Sequence, residues 1–155
     1  MTTKPKLKAG AADPAAEPID VHGIDTLGFR LRLAQNLVFR DFNERFVDLG
    51  LTQSLWSILV LIEANPGLRQ SDIGVALNIR PANLVDLLDS LIKRGLVLKL
   101  PIAKDRRASS LYLTTEGAAT AAKGERIHQK HLRFLQERLG DDYEVLHAAL
   151  KKLLD

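Results

Sequence analysis

No cysteine occurs in the 155 residues. That absence removes disulfides, thiolate metal sites and thiol redox sensing together. No apolar run approaches the ~18 residues that a membrane-spanning helix needs. The N-terminus shows no apolar core after its lysines, so no secretory signal is read there, and a cytoplasmic protein is expected. Aromatics make up only 5% of the chain against 46% hydrophobic residues overall, so the core must be built from Leu, Ile, Val and Ala. That composition suits packed helices. Catalytic patterns are missing too. No Ser or Thr has a recognisable base partner, no glycine loop is shaped to hold phosphate, and no His sits in a catalytic motif. No enzyme and no cofactor are expected.

What is present is concentrated in one stretch. The chain carries a net charge of +3, but between Ile79 and Arg107 seven bases stand against three acids. Local charge of this kind points to a polyanionic partner more directly than the total does. The stretch from Ser71 to Leu113 reads as helix, turn, helix and two-stranded hairpin. Helix 3 spans about Gln70 to Leu77, with Arg69 a poor cap and Gly74 a weak point or a site of close helix approach. Asn78-Ile79 forms the turn. Helix 4 starts near Arg80 with Pro81 in its first turn. Its inward stripe is Leu84, Leu87, Leu88, Leu91 and Ile92. Gly95 ends it.

The hairpin follows. Leu98 and Leu100 share one face of strand Val97–Leu100, and Leu111 and Leu113 share one face of the second strand. Pro101 to Ser109 is read as the loop between them. It carries Lys104, Asp105, Arg106 and Arg107. A basic loop one hairpin after a helix pair can enter a minor groove, and Asp105 can orient the Arg107 guanidinium. On helix 4, Arg80 and Asn83 have the chemistry to read base edges, with Pro81, Ala82 and Asp86 beside them.

Around this centre lie broad apolar helices. Helix 1, about Thr26 to Leu49, places Leu27, Leu31, Ala34, Val38 and Phe42 at helical spacing, more apolar surface than one small core needs. Helix 2 is capped by Thr52. Trp56 reads as core packing or as the wall of a ligand site. Helix 5 runs from Thr114 or Thr115 to Leu139, with Leu132, Leu135 and Leu139 on one side and Ile127 and Phe134 on another. Helix 6 has a seam of Tyr143, Leu146, Leu150 and Leu153, close to coiled-coil spacing. His128 and His131, three apart beside Glu125, read as surface histidines or, alternatively, as part of a metal-responsive site.

The order Leu51-Thr52, Trp56, Gln70-Ser71-Asp72-Ile73, Leu77, Arg80-Pro81-Ala82, Leu91, Gly95-Leu96-Val97, Asp105-Arg106-Arg107, Leu113-Thr114 and Gly117 resembles the MarR family of bacterial transcription regulators. The resemblance covers about residues 25 to 155. It implies a mainly α fold with a small β-hairpin wing, a winged helix-turn-helix plus a helical dimerisation module. Residues 1–20 are expected as a disordered tail. Residues 21–155 form one domain, with 21–50 and 115–155 as dimerisation helices and 51–114 as the DNA-binding lobe.

It also implies a homodimeric repressor on double-stranded DNA, at a pseudo-palindromic operator, with Arg107 as the wing arginine and Asp105 as its orienting acid. A small-molecule effector, an aromatic acid or its thioester, would release it. Arg30, Asn36, Phe39, Arg40 and Trp56 are the candidate lining residues for that effector. Many family members have hydroxyl residues near 83 and 85 and a base at 86. This chain has Asn83, Val85 and Asp86, which shifts the expected phosphate grip to the wing and Arg80. A dimeric protein-interaction module without DNA binding is the remaining alternative.

Overall fold

The computed structural model describes residues 22–102 and 105–154, with side chains described in those ranges except at 22 and 102–108. The tail read over residues 1–20 lies outside the described residues. The chain separates into two units, residues 1–34 and residues 35–155. The described part of the first holds a 3₁₀ turn, His22–Ile24, and the opening of helix α1, Leu27–Phe46. There the Thr26 hydroxyl accepts from the Phe29 N–H, and Arg30 pairs with Asp25.

The second unit holds the rest of α1, then α2 (Gln53–Ala64), β1 (Leu68–Arg69), α3 (Gln70–Ala76), α4 (Pro81–Lys93), β2 (Val97–Ile102), β3 (Asp105–Leu113), α5 (Thr115–Leu139) and α6 (Asp142–Leu154). α2 is its centre. Thr52 caps it by accepting from the Leu55 N–H, as its sequence position requires. Leu55, Trp56, Ile58, Leu59 and Ile62 are buried along it, and Phe42, Phe46, Ile73, Leu84, Leu88, Leu91, Val97 and Leu111 complete the same core.

Three expectations change. First, the hairpin is longer than its leucines suggest. β2 and β3 pair antiparallel through Pro101↔Ser109 and, after a register shift, Ile102↔Asp105, so most of the expected loop is strand. Pro101 is compatible because the sheet order β1-β3-β2 leaves β2 at an edge, where a missing N–H costs no ladder bond. β1, only two residues long, is too short for any periodicity to reveal. The buried face is Val97 and Leu111, whereas Leu98 and Leu100 point to solvent.

Second, α5 buries a different face. Gly117, Thr120, Ala121, Gly124 and His131 are its buried residues, whereas Leu132, Leu135 and Leu139 are half-buried. Small residues let the α5 backbone come close to its neighbours. A Cβ on Gly124 would lie 2.4 Å from Trp56 Nε1.

Third, His131 is not a surface residue. It is 3% exposed, and its Nδ1 lies 2.6 Å from Asp41 Oδ2. Asp41 also takes two hydrogen bonds from Arg45, at 2.7 and 2.9 Å. Those Arg45 bonds hold the Asp41 carboxyl below the usual carboxylate range, with burial opposing and the His131 bond adding to the lowering. A carboxylate lowered on folding contributes stability that is whole above its unfolded pKa, about 3.9. That contribution fades as pH falls through the lower folded value. Asp41→Asn should therefore destabilise the protein by about 2 kcal/mol at pH 7. The gap between variant and parent in acid-titrated melts should narrow below about pH 4. A gap that stays constant down to pH 2 would remove the linkage.

Candidate nucleic-acid interface

The turn between α3 and α4 follows from local chemistry. α3 has no side-chain acceptor at Arg69, so Asp72 in its first turn reaches back and accepts from the Arg69 N–H at 3.1 Å. At its far end Asn78 sits in the left-handed region at φ 49°, and Ile79 N–H bonds back to the Gly74 carbonyl at 2.9 Å. Asparagine tolerates that conformation better than most residues, so the helix stops there. Gly74 itself is not demanded. An added Cβ would only touch the Ile79 carbonyl oxygen and Leu84 Cδ2, each at 3.4 Å.

α4 then starts with Pro81 at its first position and Arg80 as N-cap. Arg80, Pro81, Ala82, Asn83 and Asp86 are all exposed on its N-terminal half. The structure therefore brings together every helix residue expected at a base-reading site. Lys104 lies outside the described residues, as do the side chains of Asp105, Arg106 and Arg107. The backbone of the last three opens β3, at the hairpin tip.

Between α3, the start of α4 and the hairpin lies an open cleft of about 870 Å³. Arg69 lines it from β1, Gln70 and Ser71 from α3, and Lys99 and Ser109 from the hairpin. These residues join the helix pair to the wing, and none was selected from sequence. Lys99 had a readable signal, a base between two leucines of a strand. Arg69 had none, because its role depends on β1.

Not every base in the stretch is available to a partner. The Arg94 guanidinium donates to the carbonyls of Leu49 and Gly50 at 2.7 and 2.8 Å, which anchors the end of α4 to the segment before α2. At the other border of the lobe, the Thr114 hydroxyl donates to the Gly95 carbonyl and accepts from the Gly117 N–H.

The residues read as an effector lining fall in both units. Arg30 lies in the first unit, exposed and paired with Asp25. Asn36, Phe39 and Arg40 are exposed on α1. Phe39 lines a small cleft of about 170 Å³ with Gln53, Ser54 and Ser57 of α2. Trp56 is instead a core residue, 7% exposed, its ring 4.3 Å from that of His128. Burial holds the His128 imidazole below its usual pKa. With His131 engaged by Asp41, no group of three or more His, Asp or Glu able to hold a metal occurs among the described residues.

A helix pair with its second helix exposed, followed by an antiparallel hairpin in the same lobe, defines a winged helix-turn-helix protein. The sequence profile of the MarR family matches residues 51–109. The transcriptional regulatory protein described for the hcr operon of Thauera aromatica is 32% identical over 137 residues, 86% of this chain and 82% of that protein. The transcriptional repressor CouR, solved bound to a 23-mer DNA duplex, superposes with a TM-score of 0.84 at 34% identity, covering 90% of this chain and all of CouR. CouR bound to p-coumaroyl-CoA gives 0.82 at 32% identity, covering 88% of this chain and 98% of that one. This chain belongs to the MarR family of transcriptional regulators. No single helix among its described residues is long and apolar enough to cross a membrane.

Proposed function

We propose that this protein is a cytoplasmic repressor, without enzymatic activity, that binds a pseudo-palindromic operator as a homodimer and leaves it when a small molecule binds. The observation that carries this reading is the arrangement of α3, α4 and the hairpin. It turns Arg80, Pro81, Ala82, Asn83 and Asp86 outward beside a cleft with Arg69 and Lys99, in a fold that CouR uses on duplex DNA. Arg80, Pro81, Ala82, Asn83 and Asp86 meet the major groove. Lys104, Asp105, Arg106 and Arg107 form the wing contact.

Residues 51–114 make up the DNA-binding lobe. Residues 21–50 and 115–155 dimerise it, and the exposed Val145, Leu146, Leu153 and Leu154 of α6 support that role. The effector is an aromatic acid or its thioester. Support comes from the likeness to CouR with p-coumaroyl-CoA and from the exposed Phe39 and Arg40, which offer ring contact and a cation to such a ligand. Arg30, Asn36 and Trp56 stand as weaker candidates.

The test is binding to the DNA upstream of the protein's own coding sequence across a salt series. With six or more phosphate contacts, affinity should fall about a thousandfold between 50 and 200 mM salt. p-Coumaroyl-CoA should displace the duplex and raise the melting temperature. Absence of binding even at low salt would favour a protein-interaction module instead.

A further inference from the structure

α4 turns an unusual set of side chains outward. Leu84, Leu88 and Leu91 are buried along its inner stripe. The helical period then places Ala82, Val85, Asp86 and Asp89 on the opposite face, and all four are exposed. From Pro81 to Ile92 there is no basic residue at all. Val85 leaves 43% of its surface in solvent, so part of its isopropyl group is open to a partner. Among the described residues the ion pairs involve other carboxylates, and neither Asp86 nor Asp89 takes part.

We propose, on the reading that α4 enters the major groove, that Val85 packs on the 5-methyl group of a thymine and Asp86 accepts from the amino group of a neighbouring cytosine. Thymine is the base that offers a methyl group in the major groove, and cytosine offers an amino donor there. A carboxylate can only accept. Opposite guanine O6 and N7, or thymine O4, it meets another acceptor and is repelled. Opposite adenine it meets one donor and the N7 acceptor. Cytosine is the base edge without that conflict. Valine is stiff at χ1 in a helix, so its methyl groups are already placed before DNA arrives. Beside Arg80 and Asn83, base selection by this helix therefore gains a methyl contact and an acceptor.

The experiment enriches the full-length protein's preferred site from a pool of random duplexes and uses that duplex as probe. Thymine and cytosine should be required at neighbouring positions of each half-site. Replacing that thymine by deoxyuridine removes the methyl group alone and should weaken binding about fourfold per half-site. Val85→Ala should lose a similar factor and bind the thymine and deoxyuridine duplexes equally, the signature of a direct contact. Asp86→Ala should accept other bases where the parent requires cytosine. Both changes lie on the surface, and unchanged melts will show that they fold. A selected duplex that tolerates deoxyuridine at every thymine, or a Val85→Ala variant that keeps full methyl sensitivity, overturns the proposal. A pool that yields no enriched duplex fails the DNA-binding function as a whole, so the two failures are distinguishable.

Discussion

Gly117→Ala should destabilise the protein by about 3 kcal/mol, the upper range for overpacking a tight site. A Cβ at this position would lie 2.0 Å from the Leu96 carbonyl oxygen and 2.9 Å from its carbon. The obstacle is backbone, so no side-chain rotation relieves it. Leu96 is also held at both ends. Its N–H donates to the Leu91 carbonyl, and its own carbonyl accepts from the Thr114 N–H at 3.1 Å. Retreat would break one of these bonds or pull α5 from the lobe. A drop of roughly 10 °C in the thermal midpoint is expected for a chain of this size. Gly28→Ala, in the first turn of α1, is the control, because nothing lies within 4 Å of its added Cβ. A Gly117→Ala midpoint within 2 °C of the parent would show that α5 does not approach this closely.

Arg107→Ala should weaken operator binding on the order of a hundredfold while leaving the melt and the dimer unchanged. One well-placed arginine contact is worth roughly 1–3 kcal/mol, and a dimer would lose two. The argument is partly one of exclusion. From Pro81 to Ile92 the exposed face of α4 carries Asp86 and Asp89 and no base, and Lys93 comes only in its last turn, so the first three turns grip phosphate poorly. Arg94 is committed to the carbonyls of Leu49 and Gly50. The hairpin extends to Ile102↔Asp105, which carries residues 105–107 to its tip. The logarithmic salt slope should also become shallower by about one per lost contact. Affinity within threefold of the parent at every salt concentration would move the grip to Arg69 and Lys99.

The helices were legible because each announces itself locally. Thr52 and Thr114 are good caps, Pro81 favours a first turn, and Leu84, Leu88 and Leu91 repeat at the helical period. The wing was legible as a charged turn after a strand, though not its length, since strand pairing depends on a partner rather than on the segment itself. The effector residues were the least legible. A periodic stripe on α1 says which residues share a face and leaves open what that face meets.

By itself, then, the sequence determined the helices, their approximate boundaries and the place of the helix-turn-helix, because capping, periodicity and proline position act within a few residues. The tertiary structure alone decided what is buried and what is spent. It placed His131 against Asp41, Trp56 against Gly124, and Arg94 on the carbonyls before α2. Each pairing joins residues 44 or more positions apart, or a tryptophan to a glycine that only close packing explains. It also set Arg69 and Lys99 on one cleft with the helix pair, because β1 joins the sheet beside β3. Such choices follow from which surfaces meet, and no local pattern encodes that.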